Sequence, residues 1–209
     1  MSKSDESRLI NKPVGITGGI GSGKSSAARF LKKQFGIEYI DADLVCKDLL
    51  APGAIGWKAF VETFNKEFLD TDQSIDRQKL RNAIFQEPEL RQRLDDLMHP
   101  LARKEIQNIL SHTEPSRCLV EVPLLYEAGW EDDFRAVIVV SAEHKQCMER
   151  LMLRDQISPE AATKALAAQL PLSEKANRAD HVVNNTGTWE NTCLQLVEIG
   201  VILWESLSL

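Results

Sequence analysis

The run Gly18, Gly19, Ile20, Gly21, Ser22, Gly23, Lys24, Ser25 fits G-x-x-x-x-G-K-[ST], a loop whose backbone wraps nucleotide phosphates. Glycines let the chain turn so that successive N–H groups face one anion. The start of a helix adds partial positive charge at the same point. In such a loop Lys24 reaches the β- and γ-phosphates and the Ser25 hydroxyl ligates Mg²⁺. Ser26 places a further hydroxyl beside it.

Other residues could supply the rest of a phosphoryl transfer. Asp41 and Asp43 end an apolar stretch, and on an extended chain residues two apart lie on one side. One carboxylate can take a proton from an acceptor hydroxyl while the other orients it or holds Mg²⁺ through water. The plain alternative is a solvated strand end with a helix cap at Asp43. Glu121 ends a second apolar stretch, where an acid near a phosphate loop holds Mg²⁺ or its waters or serves the acceptor, unless it only caps or pairs. Leu124, within Pro123–Glu127, can then wall an acceptor pocket. Arg150 and Arg154 are four apart and share a helix face. Two guanidiniums can clamp phosphates and neutralise charge in the transition state; otherwise they are ordinary surface charges. Arg77, Lys79, Arg81 and Arg103 suit an anionic acceptor about as well as they suit a solvated face. His99 precedes Pro100 at what reads as a helix break.

These groups need a scaffold. Five segments read as buried strands: 14–17, 38–41, 118–122, 136–140 and 181–184. Helical patterns separate them, which implies a mostly parallel sheet covered on both faces, with ligands at the carboxyl edge of the strands. Ala27, Phe30, Leu31 and Phe35 fall at helical spacing directly after the glycine loop, and 189–204 reads as an apolar helix packed on the sheet. Residues 49–111 and 143–177 are too long for simple crossovers. The first reads as a helical acceptor-binding insertion and the second as a helical lid, leaving 13–48, 112–142 and 178–209 as the nucleotide-binding core. The expected fold class is a three-layer αβα arrangement of the P-loop NTPase type, with a five-stranded parallel sheet.

Composition sets the outer limits. The chain has 209 residues, 43% hydrophobic and 27% charged, with net charge −6. That suits one domain with insertions and argues against non-specific binding to nucleic acid or membranes. Its four cysteines are far apart, which suits free thiols in a reducing compartment and not a zinc site. The polar start Met1–Ser7 has no signal-peptide core, and no run is long and apolar enough to span a bilayer. A cytoplasmic protein acting on small molecules is expected, its oligomeric state left open.

In this order, the motifs resemble bacterial dephospho-CoA kinases over nearly the whole chain. The matching pieces are T-G-G-I-G-S-G-K-S at 17–25, I-D-A-D at 40–43, P-G at 52–53 and R-x-x-x-R-x-x-I-F at 77–85. H-P-L at 99–101, V-P-L-L-Y-E at 122–127 and R-L-M-L-R-D at 150–155 follow. A-A-Q-L-P-L-S-E-K at 167–175 and A-D-H-V-V-N-N-T-G at 179–187 complete the set. The resemblance implies ATP-dependent phosphorylation of the ribose 3′-hydroxyl of dephospho-coenzyme A. It implies Asp43 as base with Asp41 in support, the loop through Lys24 and Ser25 on Mg-ATP, and Arg77, Arg81 and His99 toward the acceptor. It further implies Arg150 and Arg154 on the phosphates, with Asn184, Asn185 and Gly187 near adenine. Lys47 stands where the family usually has Arg, four residues after the second Asp, Ser26 where Thr is usual, Glu121 for a frequent Asp and Tyr126 for a common Phe. A kinase of another small metabolite, or a nucleotide-dependent switch, are the competing readings. The switch lacks its base-recognition motif, since Asn65-Lys66-Glu67-Phe68 has no Asp at the last position.

Overall fold

A computed structural model of the chain describes residues 11–205, apart from the side chain of Phe85. The start Met1–Ser7, residues 206–209 of the expected core and the Phe85 side chain lie outside the described residues. Two compact units form: Ala42–His112, and the described residues before and after it.

The larger unit holds a five-stranded sheet in the order β2-β3-β1-β4-β5. The strands are β1 (Val14–Gly18), β2 (Glu38–Asp41), β3 (Cys118–Glu121), β4 (Ala136–Ser141) and β5 (His181–Asn184). Every pairing is parallel. The five segments expected from the sequence are these five, their ends differing by at most one residue. Both faces of β1 are covered, which is why it reads as an apolar run without alternation. On one face Val14, Ile16, Ile138 and Val183 pack with Ala27 and Leu31 of α1 (Lys24–Phe35). Leu196 and Trp204, from α9 (Trp189–Gly200) and the wide π-helical turn after it, join them. The opposite face is closed by Leu125 and Phe134, so near that a Cβ on Gly15 would lie 2.9 Å from the Phe134 ring.

Helix α1 begins directly at the glycine loop with no acidic residue of its own in its first turn. It stops where Gly36 takes a left-handed conformation at φ 59°. Three more helices of this unit lie between β4 and β5: α6 (His144–Asp155), α7 (Pro159–Ala167) and α8 (Leu172–Arg178). Leu151, Ala162 and Ala165 form a small core between α6 and α7, with Ile20 of the glycine loop packed against it.

The second unit is all helical: α2 (Ala42–Leu49), α3 (Ile55–Phe64), α4 (Arg77–Gln86) and α5 (Pro88–Leu110). Phe60, Phe64, Phe68, Ile75, Leu80 and Leu90 make its core. Asp76 caps α4 by accepting the Lys79 N–H at 2.9 Å. The expected helix break at His99-Pro100 does not occur: α5 runs 23 residues through Pro100. Pro100 offers no N–H to the carbonyl four residues back, a local loss. Burial of Met98, Ala102 and Ile106 along one side carries the helix across it. No described helix is long and apolar enough to cross a membrane.

Candidate active site

The glycine loop leaves β1 at Gly18 and turns back so that the Ser22 N–H donates to the Gly19 carbonyl at 3.1 Å. Gly21 and Gly23 have φ of 78° and 95°, which L side chains rarely adopt. They are also sterically required. A Cβ on Gly21 would sit 2.4 Å from the Cys147 carbonyl oxygen, and one on Gly23 2.3 Å from Asn185 Nδ2. The backbone N–H groups of Gly21, Gly23, Lys24 and Ser25 take no partner among the described residues. Four converging donors at a helix start are the chemistry of an anion cradle. Ser26, in the same turn, is exposed.

Glu121 is the hub beneath this loop. It lies opposite Asp41 on β2 and Ile16 on β1, and only 3% of it is exposed. Its Oε1 accepts the Ser25 hydroxyl at 2.6 Å and its Oε2 accepts the Tyr39 hydroxyl at 2.6 Å. Lys24 Nζ stands 4.0 Å from Oε1. Burial, the bond to Glu121 and the negative charges of Glu121 and Asp41 hold the Tyr39 phenol well above its ordinary range. Tyr39 therefore stays a donor and orients the carboxylate. A hydroxyl and a buried carboxylate beside a phosphate cradle are hard oxygen donors of the kind Mg²⁺ takes along with phosphate oxygens.

Asp41 ends β2, 3.5 Å from the Tyr39 hydroxyl. Asp43 is not its partner on an extended chain: α2 begins at Ala42, so Asp43 sits in the first helical turn. The helix N-terminus favours its negative charge there. Chain direction changes between the two carboxylates, and the shared strand face expected from their spacing is lost.

Arg150 and Arg154, on one helix, have different partners. Arg150 Nη1 and Nη2 donate at 3.3 Å to the carbonyls of Gly21 and Asn185, holding the loop to the segment after β5. Arg154 forks onto the neighbouring Asp155 carboxylate at 2.7 and 3.1 Å. Asn185 is buried and turned inward. Its Nδ2 donates to the Ser22 carbonyl at 2.8 Å and its Oδ1 accepts the Thr192 hydroxyl at 2.9 Å. Asn184 is exposed, its Oδ1 accepting the Thr186 N–H at 2.9 Å.

Leu124, half-buried, lies in the turn after β3, where its carbonyl accepts the Ala128 N–H. In the helical unit Lys47, Arg77 and Arg81 are exposed. His99 Nε2 stands 3.9 Å from Asp95, which also faces Arg91 at 3.7 Å. Burial raises the Asp95 carboxyl above the ordinary range, with His99 and Arg91 partly opposing it.

Sequence reading missed several groups around the loop. Tyr39 carried a signal, since it stands two residues before Asp41 on a strand. Gln169, Lys175 and Glu127 lie within the motif pieces at 167–175 and 122–127, but neither they nor Thr192 showed a role by spacing: nothing local tells that a polar residue on a distant element will turn inward. Lys175 is fully buried, 2.8 Å from Glu127 Oε1 and 3.0 Å from the Pro123 carbonyl.

Known proteins match this arrangement. A family model described as dephospho-CoA kinase matches residues 12–191. A dephospho-CoA kinase of Enterococcus faecalis is 39% identical over 88% of this chain and 92% of its own length. One of Lactobacillus johnsonii is 38% identical over 84% and 89%. Among solved structures, TT1252 of Thermus thermophilus superposes with a TM-score of 0.78 at 29% identity, covering 91% of this chain and 97% of its own. A dephospho-CoA kinase of Campylobacter jejuni gives 0.66 at 25%, covering 93% and 98%. A shikimate kinase of Acinetobacter baumannii, at 17% identity and a TM-score of 0.54, shares the fold alone. With a phosphate cradle set over a buried glutamate, and with the family pattern running through both units, this chain belongs to the dephospho-CoA kinase family.

Proposed function

We propose that this chain transfers the γ-phosphoryl group of ATP to the ribose 3′-hydroxyl of dephospho-coenzyme A, giving coenzyme A and ADP. The observation that carries the reading is that likeness to proteins named dephospho-CoA kinase extends over 12–191, the helical unit as well as the phosphate loop.

The N–H groups of Gly21, Gly23, Lys24 and Ser25 bind the nucleotide phosphates, with Gly18, Gly19, Ile20, Ser22 and Ser26 shaping the loop. Ser25 and, directly or through water, Glu121 would hold Mg²⁺, which would supply charge to offset the phosphates. Asp43 accepts the proton of the attacking hydroxyl, with Asp41 in support. The bond from γ-phosphorus to the ADP oxygen breaks as the bond to the ribose oxygen forms. Lys24, Arg150 and Arg154 stabilise the negative charge on the transferring group. Arg77, Arg81, His99, Lys47 and Leu124 serve the acceptor. Most of the rate enhancement is positioning and electrostatics, because the chemistry needs little covalent help. Asn185 acts on ATP through the loop carbonyl it holds. The four cysteines form no disulfide among the described residues, which suits the cytoplasm.

The test is coupled ADP release from Mg-ATP with dephospho-coenzyme A beside AMP, CMP, pantothenate, gluconate and shikimate. Turnover with dephospho-coenzyme A alone, and a product carrying a 3′-phosphate, is expected. Turnover with a different acceptor overturns the acceptor assignment and leaves the nucleotide site.

A further inference from the structure

Gln169 lies in the connection between α7 and α8, half-buried, and its Oε1 accepts the Ile20 N–H of the glycine loop at 3.0 Å. A backbone N–H pairs only with an acceptor, so this bond decides which end of the carboxamide meets the loop. The oxygen faces Ile20 and the NH₂ group faces away. No described residue takes a hydrogen bond from that NH₂.

The connection is pinned just beyond Gln169. The Leu170 N–H donates to Glu127 Oε1 at 2.9 Å, and the same oxygen pairs with buried Lys175 at 2.8 Å. Lys175 also donates to the Pro123 carbonyl, which accepts the Thr17 hydroxyl at 3.1 Å immediately before the loop. The carboxamide is therefore placed with respect to the loop by a rigid frame. It borders a cavity of about 530 Å³ lined also by Gly19, Ile20 and Leu172.

The loop has two ends. Gly23, Lys24 and Ser25 stand at the helix end, where the α- and β-phosphates lie, while Lys24 extends toward the γ-phosphate. Ile20 is at the other end, and what a nucleotide carries beyond its β-phosphate meets that end. We propose that Gln169 is a substrate-contacting residue, fixed by the Ile20 N–H through its oxygen and donating from Nε2 to a γ-phosphoryl oxygen of the nucleotide. It adds a directional, uncharged donor to a group that Lys24 and Arg150 serve with charge. The inference rests on the nucleotide reading of the loop given above.

Two variants separate this role from simple support of the loop. Gln169→Glu keeps an acceptor for the Ile20 N–H but replaces the donor with negative charge. Gln169→Leu removes both. Titration of each purified variant with ATP and with ADP, beside steady-state kinetics with dephospho-coenzyme A, gives the readouts. The expected result is ADP affinity within about twofold of wild type, ATP affinity reduced at least tenfold, and kcat reduced ~10- to 100-fold, with Glu no better than Leu. Glu at wild-type kcat and ATP affinity overturns the proposal, because support of Ile20 would then suffice. Equal weakening of ATP and ADP overturns it as well, as do two variants indistinguishable from wild type. A wild-type protein that ignores dephospho-coenzyme A sinks the acceptor assignment, and the ratio of ATP to ADP affinity still decides Gln169.

Discussion

Asn185 and Ser22, 163 residues apart, are joined by a 2.8 Å hydrogen bond from the Asn185 side-chain amide to the Ser22 carbonyl. The other end of the amide is occupied by the Thr192 hydroxyl. The C-terminal helix thus holds the phosphate loop from behind, at the point where Gly23 leaves no room for a side chain. Asn185→Ala leaves the Ser22 carbonyl unpaired, while the Thr192 hydroxyl keeps the Thr188 carbonyl at 3.2 Å, and lowers stability by about 1–3 kcal/mol. It also raises the KM for ATP, since the loop loses its brace. Urea denaturation and steady-state kinetics check both. An Asn185→Ala protein with wild-type KM for ATP removes the brace from the nucleotide site.

The base assignment separates Asp43 from Lys24. Asp43→Asn lowers kcat ~10²- to 10⁴-fold with little change in KM for ATP, the scale of a lost general base. Lys24→Ala lowers turnover at least ~10²-fold, the scale of one preorganised donor. If Asp43→Asn changes only KM, another group takes the proton.

Glu121→Gln keeps the shape of the side chain and its bond from Ser25 while removing its charge. The Mg²⁺ concentration for half-maximal ATP binding rises ~10- to 100-fold, the scale seen when groups around a metal are altered. Tyr39→Phe, which frees one oxygen of Glu121 and drops the long contact to Asp41 but leaves both charges, has a smaller effect in the same direction. Magnesium titration of ATP binding, without acceptor, measures this directly.

The chain has two tyrosines, Tyr39 and Tyr126, and both phenols are raised. Burial, then the charge of Asp180, pushes Tyr126 up to about 12, against the opposing pull of Arg178. A group whose folded pKa lies above its unfolded value of ~10 stabilises the fold fully below that pH. The contribution is lost as pH rises through the folded value. Tyrosinate absorbance should thus stay low past pH ~10 and appear together with alkaline unfolding. Gradual ionisation at the ordinary value, with the fold intact, contradicts the buried phenols.

Lys175 is fully buried against Glu127, and burial lowers its pKa more than the carboxylate raises it. Lys175→Met strands a half-buried carboxylate and costs about 3–5 kcal/mol; the double variant with Glu127→Gln recovers part of it. Protonation of wild-type Lys175 is less favourable folded than unfolded. Wild type therefore gains stability relative to Lys175→Met as pH rises from the folded pKa toward ~10.4. Denaturation midpoints of the three proteins across that range test the sign.

Much of the scaffold was legible because strands and helices are local. The five apolar runs became the five strands, and the glycine loop lies between β1 and α1 as its pattern requires. Where reading failed, two local signals conflicted. The Asp41–Asp43 spacing suits a strand, yet Ala42 starts a helix. Pro100 signals a break, yet burial along α5 overrides it.

The amino-acid sequence by itself determined the cradle, the alternation of β and α elements and the residue types able to move a phosphoryl group. These depend on spacing along a few turns of chain and on the conformations glycine permits. Tertiary structure alone decided which distant groups converge. The order β2-β3-β1-β4-β5 puts Glu121 beside Asp41 and under Ser25, Tyr39 onto Glu121, Gln169 onto Ile20 and Asn185 onto Ser22. Such pairings join residues 80 to 163 positions apart. Periodicity shows which face of an element is buried; what that face meets depends on how whole strands and helices pack.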